Sequence, residues 1–158
     1  MRSEVRHPLL RIAILASPLK PHRVRSLVPA EAEVKDVHIE RCECTRVYKK
    51  IEEVQGVDER VYMRPQNLRQ ATVDSIRQPG DLYQVTCAEE HAIKLQGLKE
   101  AVAVMRDRAK VTLYFVVPDD RFDKFQVKNL TRFLTARGYD ASIGSVRVSV
   151  LEVRYEQV

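Results

Sequence analysis

DSIRQPGDLYQVTCAEEHAIKLQGLKEAVAVMRDRAKVTLYFVVP, residues 74–118, carries the pattern that decides the fold. Residues 72–76 form a short β-prone run. Gln78-Pro79-Gly80-Asp81 then turns the chain, because Pro fixes one backbone angle and Gly tolerates the unusual ones. Residues 82–87 alternate apolar and polar side chains, the period-two signature of a half-buried strand. Glu89 and Glu90 stand where a helix N-terminus favours anions, and Arg106, Arg108 and Lys110 stand near the end that favours cations. Leu95, Leu98, Val102 and Met105 recur at helical spacing on one apolar face, which predicts a helix between those charges. Residues 111–117 are an apolar run, as in a strand covered on both sides. A hairpin, a helical crossover and a buried strand together predict an α/β fold, with a mixed β-sheet flanked by helices.

Working outward, residues 3–16 read as a helix capped by Ser3, which Pro18 and Pro21 end before an extended segment at 23–28. Residues 34–49 alternate over a long stretch and predict an antiparallel strand or hairpin arm with one wet face. Cys42, Cys44 and His38 fall on one face of that strand, either half of a zinc site or plain thiols in a reducing compartment. Residues 55–58 turn into a returning strand at 60–63, and a polar loop leads to Asp74. Residues 121–137 read as a helix capped by Asp119 or Asp120 and ended by Gly138. On it Lys124, Lys128 and Arg132 repeat every four residues opposite a broad apolar side. That row either tracks nucleic-acid phosphates or is a solvated helix face. Residues 145–158 alternate as a strand with Val146, Val148 and Val150 on one face. At a sheet edge, its Arg147, Glu152 and Arg154 would block further pairing.

The length of 158 residues fits one domain with a real core. Lys and Arg exceed Asp and Glu by 27 to 22, giving a net charge of +5 and an isoelectric point near 9.2, a balance that favours polyanionic partners. No apolar stretch is long enough to span a bilayer, so no membrane partner is expected, and no signal-peptide pattern opens the chain. Three cysteines cannot all pair, which argues for an intracellular, reducing setting over a disulfide framework. Oligomeric state is not legible.

The ordered segments VDSI, DLYQVT, HAIKLQGLKEAV and LYFVVPDDRFDKF, with VRSL at 24–27 and VYMRP at 61–65, resemble the C-terminal nuclease-like domain of crinkler effectors from oomycetes and fungi. They are also similar to the related domain of trypanosome retrotransposon-hot-spot proteins. The resemblance covers most of the chain. It implies a core like that of PD-(D/E)xK restriction endonucleases, residues 1–158 forming one nuclease-like domain at the C-terminal end of a larger protein. It also implies a P-loop ATPase domain as partner and a nuclear location, possibly inside a host cell. No phosphate loop of the G-x-x-x-x-G-K-[ST] type occurs in this sequence.

For chemistry, the resemblance implies Mg²⁺ or Mn²⁺ held against a scissile phosphate, with a cation to offset developing charge. Asp74 matches the metal-binding aspartate by sequence order. Gln84 and Thr86 stand where the usual tripeptide carries an acid and a lysine; Gln84 is a weaker oxygen donor to the metal, and Thr86 brings no charge. His91 and Lys94 in HAIK follow on the expected helix, where Lys94 could supply the missing cation. Glu4, one turn before His7, matches a first-helix carboxylate that holds metal. Plainer roles exist for each: a turn for Asp74, cross-strand pairing for Gln84 and Thr86, a core edge for His91, a capping turn for Glu4. The leading expectation is a metal-dependent nuclease-like domain acting on DNA or RNA. The alternatives are a nuclease-derived module without activity that binds nucleic acid or a nuclear or ATPase-domain partner, and a purely structural partner of an ATPase domain.

Overall fold

The computed structural model describes residues 21–39, 42–67 and 73–153. In chain order the strands are β1 (His22–Val28), β2 (Ala30–Val37), β3 (Cys44–Tyr48), β4 (Val61–Pro65), β5 (Ser75–Arg77), β6 (Asp81–Val85), β7 (Glu90–His91), β8 (Thr112–Pro118), β9 (Gln126–Val127) and β10 (Arg147–Val153). The helices are α1 (Leu95–Ala103), the short α2 (Asp119–Phe122) and α3 (Leu130–Tyr139). Eight strands form one mixed sheet in the order β2-β1-β10-β8-β6-β5-β4-β3, and β7 pairs with β9 beside it. The chain is thus mixed α/β, with a large sheet and few helices.

The centre of the sheet is β8, parallel to both of its neighbours, β6 and β10. A strand flanked on both edges and covered on both faces must be apolar throughout. Leu113, Phe115 and Val117 accordingly pack into one core with Leu82, Val148 and Val150, under Leu98, Val102, Phe122, Phe125 and Phe133. Val116 faces the other way, with Tyr62, Tyr83, Val85, Leu151 and Val153. The β6–α1–β8 crossover is the unit that the sequence predicts.

Several expectations are corrected. Glu89 and Glu90 do not open a helix: Gln126 N donates to the Glu89 carbonyl at 2.8 Å and Lys128 N to that of His91 at 3.0 Å, which makes β7 a strand. α1 begins five residues later, at Leu95, and Arg106, Arg108 and Lys110 lie beyond its end. Residues 34–49 are not one arm, since β2 and β3 sit at opposite edges of the sheet. β10 is no edge strand; it lies between β1 and β8, and Glu152 is buried against the Arg23 guanidinium, at 2.5 and 2.9 Å. The helix expected over 121–137 is two helices separated by β9, so Lys124, Lys128 and Arg132 form no helical row. The helix expected at 3–16 lies outside the described residues.

The β5–β6 turn docks on the start of β8. Asp107 N donates to the Pro79 carbonyl at 3.1 Å and Thr112 N to that of Gly80 at 2.9 Å. A Cβ on Gly80 would stand 2.5 Å from the Lys110 carbonyl oxygen, a contact with backbone that cannot turn away. Gly80→Ala is therefore expected to cost about 1–3 kcal/mol, the usual range for overpacking, read as a lower urea midpoint. An unchanged midpoint would mean that the turn does not rest on β8.

Candidate functional site

Continuing the β5–β6 register, in which Ser75 faces Tyr83 and Ile76 faces Leu82, sets Asp74 opposite Gln84. Asp74 N donates to the Tyr83 carbonyl at 2.8 Å, which carries the ladder one residue past β5. The carboxylate then turns back onto β6, where its Oδ2 accepts from Val85 N at 2.6 Å and from Gln84 Nε2 at 3.0 Å. Asp74 is 7% exposed, so these bonds hold a nearly buried anion. Two residues ten apart in sequence are fixed in one orientation by a three-residue turn and two short strands.

Gln84 pairs in register with Phe115, and with Ile93, Lys94, Leu98 and Phe115 it lines a cavity of about 10 Å³. That is room for roughly one water. A phosphodiester would therefore have to lie over the surface at this point, not inside it. Lys94 occupies the N-cap of α1, its backbone extended (φ −83°, ψ 98°) and its side chain exposed. The structure thus joins Asp74 to Gln84 by a hydrogen bond, and Gln84 and Lys94 line one small cavity.

Of the other candidates, Thr86 and His91 have partners of their own. Thr86 is buried, and its hydroxyl oxygen accepts from Ala88 N at 3.1 Å, closing the turn after β6. His91 is half-buried; its Nδ1–H donates to the Ala92 carbonyl at 2.8 Å and its ring lies 5.5 Å from that of Phe115, the geometry of a core edge. Glu4 lies outside the described residues. Lys124, Lys128 and Arg132 are all exposed, the first after α2, the second between β9 and α3, the third on α3. Cys44 is exposed in β3, Cys42 precedes that strand, and His38 follows β2, so no single strand carries the three.

One residue that the sequence reading missed is Tyr48. β3 runs parallel to β4 with Tyr48 opposite Pro65, and the β4–β5 register of Met63 with Ile76, extended by two residues, sets Pro65 opposite Asp74. Tyr48 is therefore two strands from Asp74, in the same core as Phe115. Burial, and after it the Asp74 carboxylate, push the phenol up to about 12. An aromatic closing the alternating run at 42–47 was the available signal, but β3 could not be placed beside Asp74 without knowing the long-range pairing.

Among the described residues, no three His, Cys, Asp or Glu side chains converge as a metal cluster. Mg²⁺ often takes only one or two carboxylates and completes its shell with water and substrate phosphate. Asp74 meets that minimum. Gln84 could add an oxygen only by turning its amide, since it is now the donor to Asp74 Oδ2. The donor set fits a weakly held Mg²⁺ or Mn²⁺ and no tighter site.

The folded protein keeps the Tyr48 proton to about pH 12, whereas an ordinary tyrosine loses it near 10.0. Stability from this group is thus complete below pH 10 and falls as pH rises toward 12. Alkaline titration of phenolate absorbance is expected to show this late ionisation. Asp74→Asn should bring it earlier while leaving it above the ordinary value, because burial remains; no shift would separate the two residues. No family model, curated protein or solved structure matches the chain.

Proposed function

We propose that this chain is a metal-dependent nuclease-like domain acting on DNA or RNA, with a core of the restriction-endonuclease type. The observation that carries the reading is the 3.0 Å bond between Asp74 and Gln84, beside the small cavity that Gln84 shares with Lys94. The antiparallel order β4–β5–β6, followed by α1 and the parallel β8, supports the same core. Asp74 leads the middle strand of that meander and Gln84 lies on the next.

Asp74, assisted by Gln84, would hold Mg²⁺ or Mn²⁺, which when bound supplies positive charge to the scissile phosphate and lowers the pKa of a bound water. The chain's own residues do the positioning. Val85 N–H and the Gln84 amide orient the carboxylate. The exposed Lys94 ammonium stands at the positive end of α1, where it can offset charge on a phosphate lying over the site. The exposed Lys124, Lys128 and Arg132 add sequence-independent attraction to the backbone of the nucleic acid. A nuclear setting and a P-loop ATPase partner belong to this reading. Among the described residues no helix is long and apolar enough to cross a membrane.

A second reading is a nuclease-derived module that binds nucleic acid, or a nuclear or ATPase-domain partner, without cutting. It is favoured by the same Asp74 bonds, since two donors already on Oδ2 satisfy that oxygen within the protein.

A cleavage assay on labelled DNA and RNA with Mg²⁺ or Mn²⁺ tests both, with EDTA and Asp74→Asn as controls. Asn keeps an acceptor for Val85 N–H while removing the charge. The first reading expects cleavage that EDTA abolishes and Asp74→Asn lowers by at least about a hundredfold, the scale of losing several kcal/mol of metal assistance. Salt-sensitive binding in EDTA without cleavage would select the second reading. Absence of both cleavage and binding would rule out nucleic acid as the target.

A further inference from the structure

Four large apolar side chains stand exposed among the described residues, and two of them, Val34 and Val47, lie on the two edge strands of the large sheet. Val34 is 41% exposed on β2 and Val47 is 48% exposed on β3. Each edge strand has one hydrogen-bonded neighbour among the described residues, β1 for β2 and β4 for β3. The outward backbone groups of such a strand are a template on which another strand can pair. Residues 30–36 of β2 and 44–47 of β3 are all exposed, so both templates are accessible.

The two edges carry opposite charge. β2 holds Glu31, Glu33 and Asp36 against Lys35, whereas residues 44–50 hold Arg46, Lys49 and Lys50 and no acid. Lys35 is engaged with Glu31 at 3.3 Å. Glu33, Asp36 and Arg46 are exposed and make no ion pair among the described residues. The acids that flank β3 are engaged: Glu43 with Arg60 at 2.8 Å, and Glu53 with the N–H groups of Lys49 and Lys50 at 3.3 Å. Charge on an edge ordinarily keeps other strands away. Here it keeps like edges apart, since β2 on β2 sets acid against acid and β3 on β3 sets cation against cation. Only β2 on β3 sets acid against cation.

Strand direction suits that pairing. β6 and β10 run parallel to β8; two antiparallel steps lead from β10 to β2, two lead from β6 to β4, and β3 is parallel to β4. β2 and β3 therefore run the same way, and a copy displaced across the sheet would lay its β3 parallel to β2 with the helices on one side. The faces agree as well. Asp36 lies opposite Arg23, whose guanidinium sits over Phe122, and Arg46 lies opposite Met63, which shares a core with Phe122. Both side chains thus leave the sheet on its helix-bearing face. Setting Asp36 beside Arg46 also sets Val34 beside Cys44 and Val37 beside Val47, while Glu33 comes beside Glu43, whose charge Arg60 already holds. We propose that copies of this chain associate head to tail, β2 of one on β3 of the next. Because the two surfaces differ, the contact repeats into a ring or a filament and does not stop at a pair.

The test is sedimentation velocity of the full, nucleic-acid-free chain between about 5 and about 300 μM, a range suited to a contact at the small end of interfaces. Mean mass should pass beyond two chains as concentration rises, and should fall back when salt is raised from about 0.05 to about 0.5 M. Asp36→Lys and Arg46→Glu should each weaken assembly about tenfold or more, with thermal melts reporting the fold of each variant. Mixed together, the two variants should form a one-to-one pair that grows no further, because one native β2 and one native β3 remain. A chain that stays monomeric throughout, or stops at a dimer, would overturn the proposal. So would assembly that either folded variant leaves unchanged, or variants that do not pair on mixing. The concentration and salt series needs no variant, so the test survives even if a variant fails to fold.

Discussion

One buried amide holds the functional half of the sheet in place. Gln78, 1% exposed, donates through Nε2 to the carbonyls of Val54 and Val104 at 3.0 and 2.9 Å, and its Oε1 accepts from Arg106 N at 2.8 Å. It ties the 3-10 turn after β3, the end of α1 and the connection to β8 to the hairpin that Gln78 itself turns. A single neutral hydrogen bond contributes about 1 kcal/mol net, but an apolar side chain here would leave three backbone groups unmet, at about 1–3 kcal/mol each. Because the hairpin cannot shift, neither can the residues at its ends. Asp74 with Gln84 at the open end and Arg77 with Asp81 at the turn inherit their geometry from this amide.

A second constraint runs through the buried Glu152. A carboxylate in the middle of a sheet requires a partner, and Arg23 meets it with two bonds from β1. The Arg23 and Arg25 guanidiniums then lie 4.6 and 5.8 Å from the centre of the Phe122 ring. Arg25 also takes the Phe122 and Phe125 carbonyls, at 2.8 and 3.1 Å. In an unbroken helix the Phe122 carbonyl would accept from Gln126 N, which here goes to Glu89 instead. The segment is broken because its hydrogen-bonding groups are engaged by β1 and β7, and Asn129 completes the break by bonding both backbone groups of Ile93 at 2.8 Å.

This explains what could be read from sequence. Local periodicity marks β6, α1 and β8, and it places Val146, Val148 and Val150 on the helix-facing core. It cannot mark β7 and β9, two-residue strands joined across some thirty-five residues, so Glu90 and His91 look like a helix start. Nor can it tell that β2 and β3 part to opposite edges, or that Glu152 on β10 is buried and paired with Arg23. Asn129, a residue type common just ahead of helices, precedes Leu130 inside the stretch read as one helix. For the candidate site, Gln84 meets Asp74 on one side and shares a cavity with Lys94 on the other because all three flank the legible unit. Tyr48 stayed hidden because its place depends on strand pairing across the sheet.

The account rests on Asp74 being a metal-binding carboxylate and not only a tie between strands, and its hydrogen bonds are compatible with both. The most direct measurement is a crystal grown with Mn²⁺, with anomalous scattering recorded for the native chain and for Asp74→Asn. The account predicts an anomalous peak within coordination distance of the Asp74 carboxylate, with the Gln84 amide oxygen turned toward it, and its loss in the variant. A native crystal with no peak there at millimolar Mn²⁺, and Gln84 still donating to Asp74, would contradict it.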